Sequence, residues 1–469
     1  MQNQDRNHNV LDSPHIGRLL MKLSVPMFFG MSVQVIYSII DTIFIGHYVG
    51  SLGIAVLSVV FPIQMITMGV GNMVSVGGAS LISRLIGGSD HQRAERTVGN
   101  SIFFSVVFSV VLTLLVLPGI NVWLRLIGAS SDIMPLARIY LVVTVAGTIV
   151  NITNSVLLAM VRAEGNARVT MTSMILQSAL NIILDYIFMK SLHMGIKGAA
   201  LATIIAQGTS VVYIASYYLS GSSYLKIRWR NFIPDLKIVR SIFAIGVSQL
   251  VQTVATAIAA TCIVKMATTY GGDTALSAFG IVQRILGPVS TLSMVLGQAM
   301  QPILGFNYGA GRYLQALKSF KIAAFLATII SLAMLVVLLS IPGPVVRIFT
   351  NDTVLVTATV TAVRRVFLMI PLFGFFNIGQ QVFPSIGKAI PTFIIAVTRP
   401  LVFLTPLELI LPHFFQLNGL WLSFPGSDLL SCLLAVGLLI PLIIKLRKAA
   451  EEQQRKKVPI VAEGTLNSP

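Results

Sequence analysis

Asp41 stands in an apolar run, Gln34-Val-Ile-Tyr-Ser-Ile-Ile-Asp-Thr-Ile-Phe-Ile-Gly46, that carries no other charge. A carboxylate in hydrocarbon costs about 2.5–3.5 kcal/mol even on a lenient insertion scale, so Asp41 should face protein or water. An acid so placed either exchanges a proton or cation, or pairs with an arginine to hold helices together. Gln34, Tyr37 and Asp41 lie at i, i+3 and i+7, which stacks them as one polar stripe on a helix. Gln177, Asn181 and Asp185 follow at spacings of four and share a second helix face. The small-residue stretch Gly195-Ile-Lys-Gly-Ala-Ala-Leu-Ala-Thr203 allows close packing and offers a hydroxyl, which could equally bond back to its own helix. Two carboxyls brought near each other resist ionising together, so one takes a proton or both share a cation. Asn181 and Thr203 add neutral oxygens that suit Na⁺ and suit a protonated carboxyl as well.

The elements that must carry these residues are membrane helices. The 469 residues are 55% hydrophobic and only 10% charged, with mean hydropathy +0.85. A soluble globule carries about 25% charged residues, so an all-α integral membrane protein is expected. Apolar windows give twelve candidate spans, near 20–47, 55–82, 96–118, 136–161, 168–189, 197–220, 238–268, 275–303, 317–340, 357–384, 390–411 and 418–445. Residues 1–19 read as a cytoplasmic segment without a cleavable signal pattern, 20–220 as a first lobe and 221–237 as a basic linker. A second lobe then covers 238–448, and 449–469 reads as a disordered cytoplasmic tail. Lys and Arg concentrate on one side when both termini are cytoplasmic, as the positive-inside rule requires. That arrangement accounts for the net charge of +17 without any nucleic-acid partner. Cys262 and Cys432 fall inside apolar spans and read as free thiols.

The two lobes repeat each other. Gly87-Gly-Ser-Asp-His-Gln-Arg-Ala94 matches Gly309-Ala-Gly-Arg-Tyr-Leu-Gln-Ala316, Glu164-Gly165 matches Ile386-Gly387, and Arg125-Leu126 matches Arg347-Ile348. All lie at an offset of about 221 residues. Six spans per lobe keep both lobes in one orientation, giving two parallel six-helix bundles facing across a cleft. The offset places Cys262, Val402 and Pro406 opposite Asp41, Asn181 and Asp185, so the acidic constellation belongs to one bundle alone. The second bundle has charges of its own. Arg399, Glu408 and Asp428 are expected to form an internal network with a structural role. Nucleotide-binding loops, H-E-x-x-H and nucleophile-elbow patterns do not occur in the sequence, so neither an enzyme nor an ATP-driven pump is indicated, and no cofactor is expected.

Asp41 in the first span, Asn181-x-x-x-Asp185 in the fifth, the Arg162-Ala-Glu-Gly165 turn and the Gly195-x-x-Gly-Ala-Ala-x-Ala-Thr203 start of the sixth resemble the multidrug and toxic compound extrusion (MATE) family, in particular its DinF-like branch. The resemblance covers residues ~15–448. It implies V-shaped lobes, alternating access and ion-coupled export of bulky, often cationic aromatic compounds. A proton or Na⁺ site is implied at Asp41, Asn181, Asp185 and Thr203. Gln34, Tyr37, Asn154 and Gln177 are candidates for the substrate cavity. Pro26 matches a first-helix hinge proline, and acids in spans seven and ten, which mark the other main branch, have no match here. Drug-like small molecules, the lipid bilayer of a prokaryotic plasma membrane and a monomer complete the expectation. The alternative is a lipid-linked saccharide flippase of the same superfamily, whose cavity would be cationic rather than acidic.

Overall fold

A computed structural model describes residues 10–457. The helices in chain order are α1 (Ile16–Tyr48), α2 (Ser51–Gly87), α3 (His91–Val116), α4 (Ile120–Ile127), α5 (Met134–Ala146), α6 (Thr148–Ala163), α7 (Ala167–Asp185) and α8 (Gly195–Leu219). After the linker come α9 (Leu236–Gly309), α10 (Tyr313–Ser340), α11 (Pro342–Arg347), α12 (Thr353–Val366), α13 (Ile370–Ser385), α14 (Ala389–Val397) and α15 (Thr405–Lys457). Several starts are written in the sequence. Asp90, Asn166, Asp235 and Asp352 each accept a backbone N–H from the first turn of the helix that follows, satisfying donors that a helix terminus leaves open.

Among the described residues, eight helical stretches are long and apolar enough to span a membrane. The 74-residue α9 is two spans joined at Gly272, and the stretch from α14 through α15 is broken at Gln416. The pairs α5–α6 and α12–α13, bent by 48° and 54°, each supply one more, which makes twelve. Gly50 and Gly272, Ser89 and Gly311, and Gly165 and Gly387 all take the left-handed conformation, each pair about 222 residues apart. The repeat is therefore present in the backbone as well as in the residue types. The chain is helical to Lys457, so the disorder expected from 449 does not describe 449–457, and the rest of that tail lies outside the described residues.

Packing joins the lobes at one end only. One apolar cluster mixes residues of both lobes, such as Leu20, Ile82 and Met160 with Met300, Phe320 and Leu446. Two others each belong to a single lobe, one around Val60, Leu124 and Leu141, the other around Phe279, Phe367 and Trp421. The shared cluster lies at the end that carries the start of α1 and the end of α15. There α2 runs against both halves of α9 with its backbone in near contact. A side chain at Gly77 would collide with the Ile242 carbonyl, and one at Gly87 with the Phe306 carbonyl. Arg162 Nη1 donates to Gln298 Oε1 across the lobes at 2.8 Å, and Ser80 Oγ donates to the Pro384 carbonyl. The linker is fastened to α3 by Asn100, whose Nδ2 donates to the carbonyls of Asn231 and Ile233 (3.0 and 3.1 Å) while its Oδ1 accepts from the Asp235 N–H (2.9 Å).

Candidate ion and substrate site

α1 packs lengthwise on α7, helped by Gly30, whose missing side chain admits Met171 and Met174. This contact brings Asp41 against Asp185, and Asn181 sits one turn before Asp185 on the same face. Asp185 and Asn181 are 0% and 1% exposed, in the middle of an apolar lobe. Asp185 is also the last residue before a π-helical turn, Tyr186–Ser191, a local widening that re-aims side chains and recurs at functional positions. Asn181 Nδ2 donates to Thr203 Oγ1 on α8 at 3.3 Å. Among the described residues, one oxygen of Asp41, both oxygens of Asp185 and the Asn181 Oδ1 are buried without a hydrogen-bond donor, the two carboxyls facing each other. Buried acceptors left unpaired cost about 1–3 kcal/mol each, more when charged, so a cluster of four is a demand for a proton or a hard cation. The oxygen-only donor set fits either, although the described residues contain no cluster of three His, Cys, Asp or Glu that could hold a metal ion on its own.

The expected residues do not all share this site. Asp41, Asn181, Asp185, Thr203 and Tyr37 come together, and Gln34 continues the stripe of α1 as a half-buried residue. Asn154 and Gln177 are elsewhere: each is 5% exposed, and Asn154 Nδ2 donates to Gln177 Oε1 at 2.8 Å while its Oδ1 accepts from Ser210 Oγ at 2.5 Å. Through these bonds they tie α6, α7 and α8 together inside the bundle. Pro26 lies inside a continuous α1, beyond the first turns, where its missing N–H leaves one helical carbonyl unpaired. Two residues that reading by helix stripes overlooks join the site. Tyr140 on α5 is 7% exposed and within electrostatic reach of Asp41, Tyr37 and Asp185; its hydroxyl accepts from Gln64 Nε2 of α2 at 3.3 Å. A phenol and an amide inside apolar windows were the available signal.

In the second lobe the expected network holds one bonded pair with a further acid beside it. Arg399 Nε donates to Asp428 Oδ1 at 2.7 Å, whereas Glu408, 0% exposed and within electrostatic reach of Arg399, has no hydrogen-bond partner on either oxygen among the described residues. Beyond the spans, Glu164 closes α6 at the joined end, where its Oε2 accepts from Ser223 (2.6 Å) and Tyr217 (3.4 Å). Burial raises this carboxyl to about 7, against the opposing effect of those hydrogen bonds.

Twelve spans in two repeated lobes, joined at one end around an apolar core with unpaired acids, define a helical membrane transporter. The MatE family model matches residues 26–187 and 244–410, and the chain belongs to that family. The multidrug export protein MepA of Staphylococcus haemolyticus is 26% identical over 423 residues, covering 90% of this chain and 92% of that protein. Among solved structures, an outward-facing multidrug resistance MATE transporter of the MOP superfamily superposes with a TM-score of 0.88 at 26% identity, covering 93% of this chain and 98% of that one. A MOP superfamily transporter from Pyrococcus furiosus, described with a binding pocket of reverse polarity that suggests a different function, has the same score and identity over 94% and 98%.

Proposed function

We propose that the protein is an ion-coupled antiporter that exports bulky, often cationic aromatic compounds across a prokaryotic plasma membrane. The observation that carries this reading is the cluster of four unpaired acceptor oxygens on Asp41, Asp185 and Asn181, buried where α1 meets α7. MepA is a multidrug exporter by name, which supports the cargo class. The acidic character of the first lobe favours cationic cargo over the anionic headgroup of a lipid-linked saccharide.

With both termini in the cytoplasm, the joined ends of the lobes close the inner side and the lobes part toward the outside. An external proton then reaches Asp41 or Asp185 and removes the repulsion between them. α1 carries Asp41 some four turns beyond Pro26, so a bend at the proline would translate a change at the acid into movement of the whole helix. Neutralising the site weakens its hold on a cationic compound, which leaves outward; loss of the proton to the cytoplasm after the lobes reverse resets the site. One charge moved through 100 mV supplies about 2.3 kcal/mol, which sustains a concentration ratio of about 50. Na⁺ can occupy the same oxygens.

The test is efflux of a cationic dye from reconstituted vesicles under an imposed pH gradient with Na⁺ absent, for the wild type and Asp41→Asn. Wild-type efflux that is lost in the variant, at equal insertion, is expected. Efflux that persists in Asp41→Asn refutes the role of the acid, and efflux driven by a Na⁺ gradient alone refutes the proton.

A further inference from the structure

The second lobe encloses a cavity of about 270 Å³ that the acidic site does not touch. Its walls come from both halves of α9, from α13 and from the π-helical turn Thr398–Leu404 that joins α14 to α15. Among the described residues, Arg399 is the one ionisable side chain in that lining. Its Nε is committed to Asp428, and its guanidinium lies over the ring of Phe373, 4.6 Å from the centroid. Among the described residues the two terminal nitrogens have no hydrogen-bond partner, and the side chain, 18% accessible, lines the cavity. A guanidinium has five N–H donors in a rigid fork, so four remain for a guest.

The rest of the lining fits the same guest. Phe373 and Phe424, 7% and 4% exposed, give aromatic faces. The side-chain amides of Gln252 and Gln283 make no hydrogen bond to the protein among the described residues, and Asn377 uses its Nδ2 on the Phe373 carbonyl at 3.0 Å, leaving its Oδ1 free. A purely structural arginine would spend its donors inside the bundle, as buried donors do. This one is held by a single bond to Asp428 and a ring beneath it, with its fork left open. A planar carboxylate is the anion that such a fork binds in two parallel bonds.

We propose that this cavity is a binding subsite for aromatic carboxylates, with Arg399, stacked on Phe373, binding the carboxylate and Phe424 bordering the space for the ring. The volume admits a guest of one or two fused rings. A compound carrying an amine as well as a carboxylate would then find a complementary group in each lobe, the acid cluster for its cation and Arg399 for its anion. That part rests on the export reading above; binding of the carboxylate does not.

The experiment is titration of the purified full-length protein with 2-naphthoate and with the neutral isostere 2-naphthamide, followed by ligand fluorescence. Binding of the carboxylate at least about tenfold tighter than the amide is expected, and Arg399→Lys, which keeps the charge next to Asp428 and loses the fork, should reduce that preference at least about fivefold. The double variant Arg399→Met with Asp428→Asn removes both members of the bonded pair together and should abolish the preference while remaining folded. Glu408→Gln should leave it intact, because Glu408 does not line the cavity. Asp41→Asn should bind 2-naphthoate as the wild type does, so a failure of the export reading is told apart from a failure here. Equal binding of carboxylate and amide, or an undiminished preference in the double variant, would overturn the proposal.

Discussion

Asp428→Asn should destabilise the second lobe, and the amount follows from how the pair is housed. Asp428 is 4% exposed, and its Oδ1 accepts the Arg399 Nε at 2.7 Å. The amide keeps the size of the side chain but leaves the guanidinium without its hydrogen-bonded counter-charge in a low-dielectric setting. Breaking a buried pair in this way costs about 3–5 kcal/mol. Arg399 retains access to a cavity, where water screens part of the stranded charge, so the lower end, about 3 kcal/mol, is expected. At about 2–4 °C per kcal/mol for a unit of this size, the melting temperature in detergent should fall by about 6–12 °C. Trp421, 1% exposed in the same apolar cluster, reports that unfolding by its fluorescence. Glu408→Gln removes no hydrogen bond and should move the midpoint by less than about 2 °C. Removing the arginine as well, as Arg399→Met with Asp428→Asn, should recover most of the loss. If Glu408→Gln falls as far as Asp428→Asn, the three charges act as one network and the pairwise reasoning is wrong.

Two further outcomes are expected. Burial raises the Glu164 carboxyl to about 7 from its ordinary 4.5, so between those values the folded protein keeps a proton that the unfolded chain has lost. Stability should therefore decline as pH rises from about 4.5 to about 7 and level off above, and Glu164→Gln should flatten that slope in melting curves taken from pH 5 to 8; an unchanged slope would remove Glu164 as its source. Asn100→Ala strips three bonds that fasten the linker, leaves the Asn231 and Ile233 carbonyls and the Asp235 N–H unpaired, and should cost about 2–4 kcal/mol; faster limited proteolysis within 221–237 is the readout, and wild-type resistance would show that the linker is held by other contacts.

Much of this protein is determined by the sequence alone, because hydrocarbon penalises charge and unpaired backbone so heavily. Apolar length sets the spans, and the left-handed positions recur at the offset already visible in the residue types. Asp41, Asn181 and Asp185 stand out for the same reason: a buried acid in a membrane needs an explanation, and helical spacing puts two of the three on one face. Which polar groups meet across helices is another matter, since that depends on the phase and tilt of neighbours. Asn154 and Gln177 lie at suitable depth for a cavity, yet the approach of α8 spends them on each other and on Ser210. Tyr140 joins the acids only because α5 packs against α8 and α2, and Gln64 only because α2 lies against α5. Arg399 and Glu408 are nine residues apart, about 180° around an ideal helix, and the π-helical turn between them alters that phase again. Arg399 therefore turns its Nε to Asp428 on the following span and Glu408 has no hydrogen bond among the described residues, a choice between partners that only the packed helices could make.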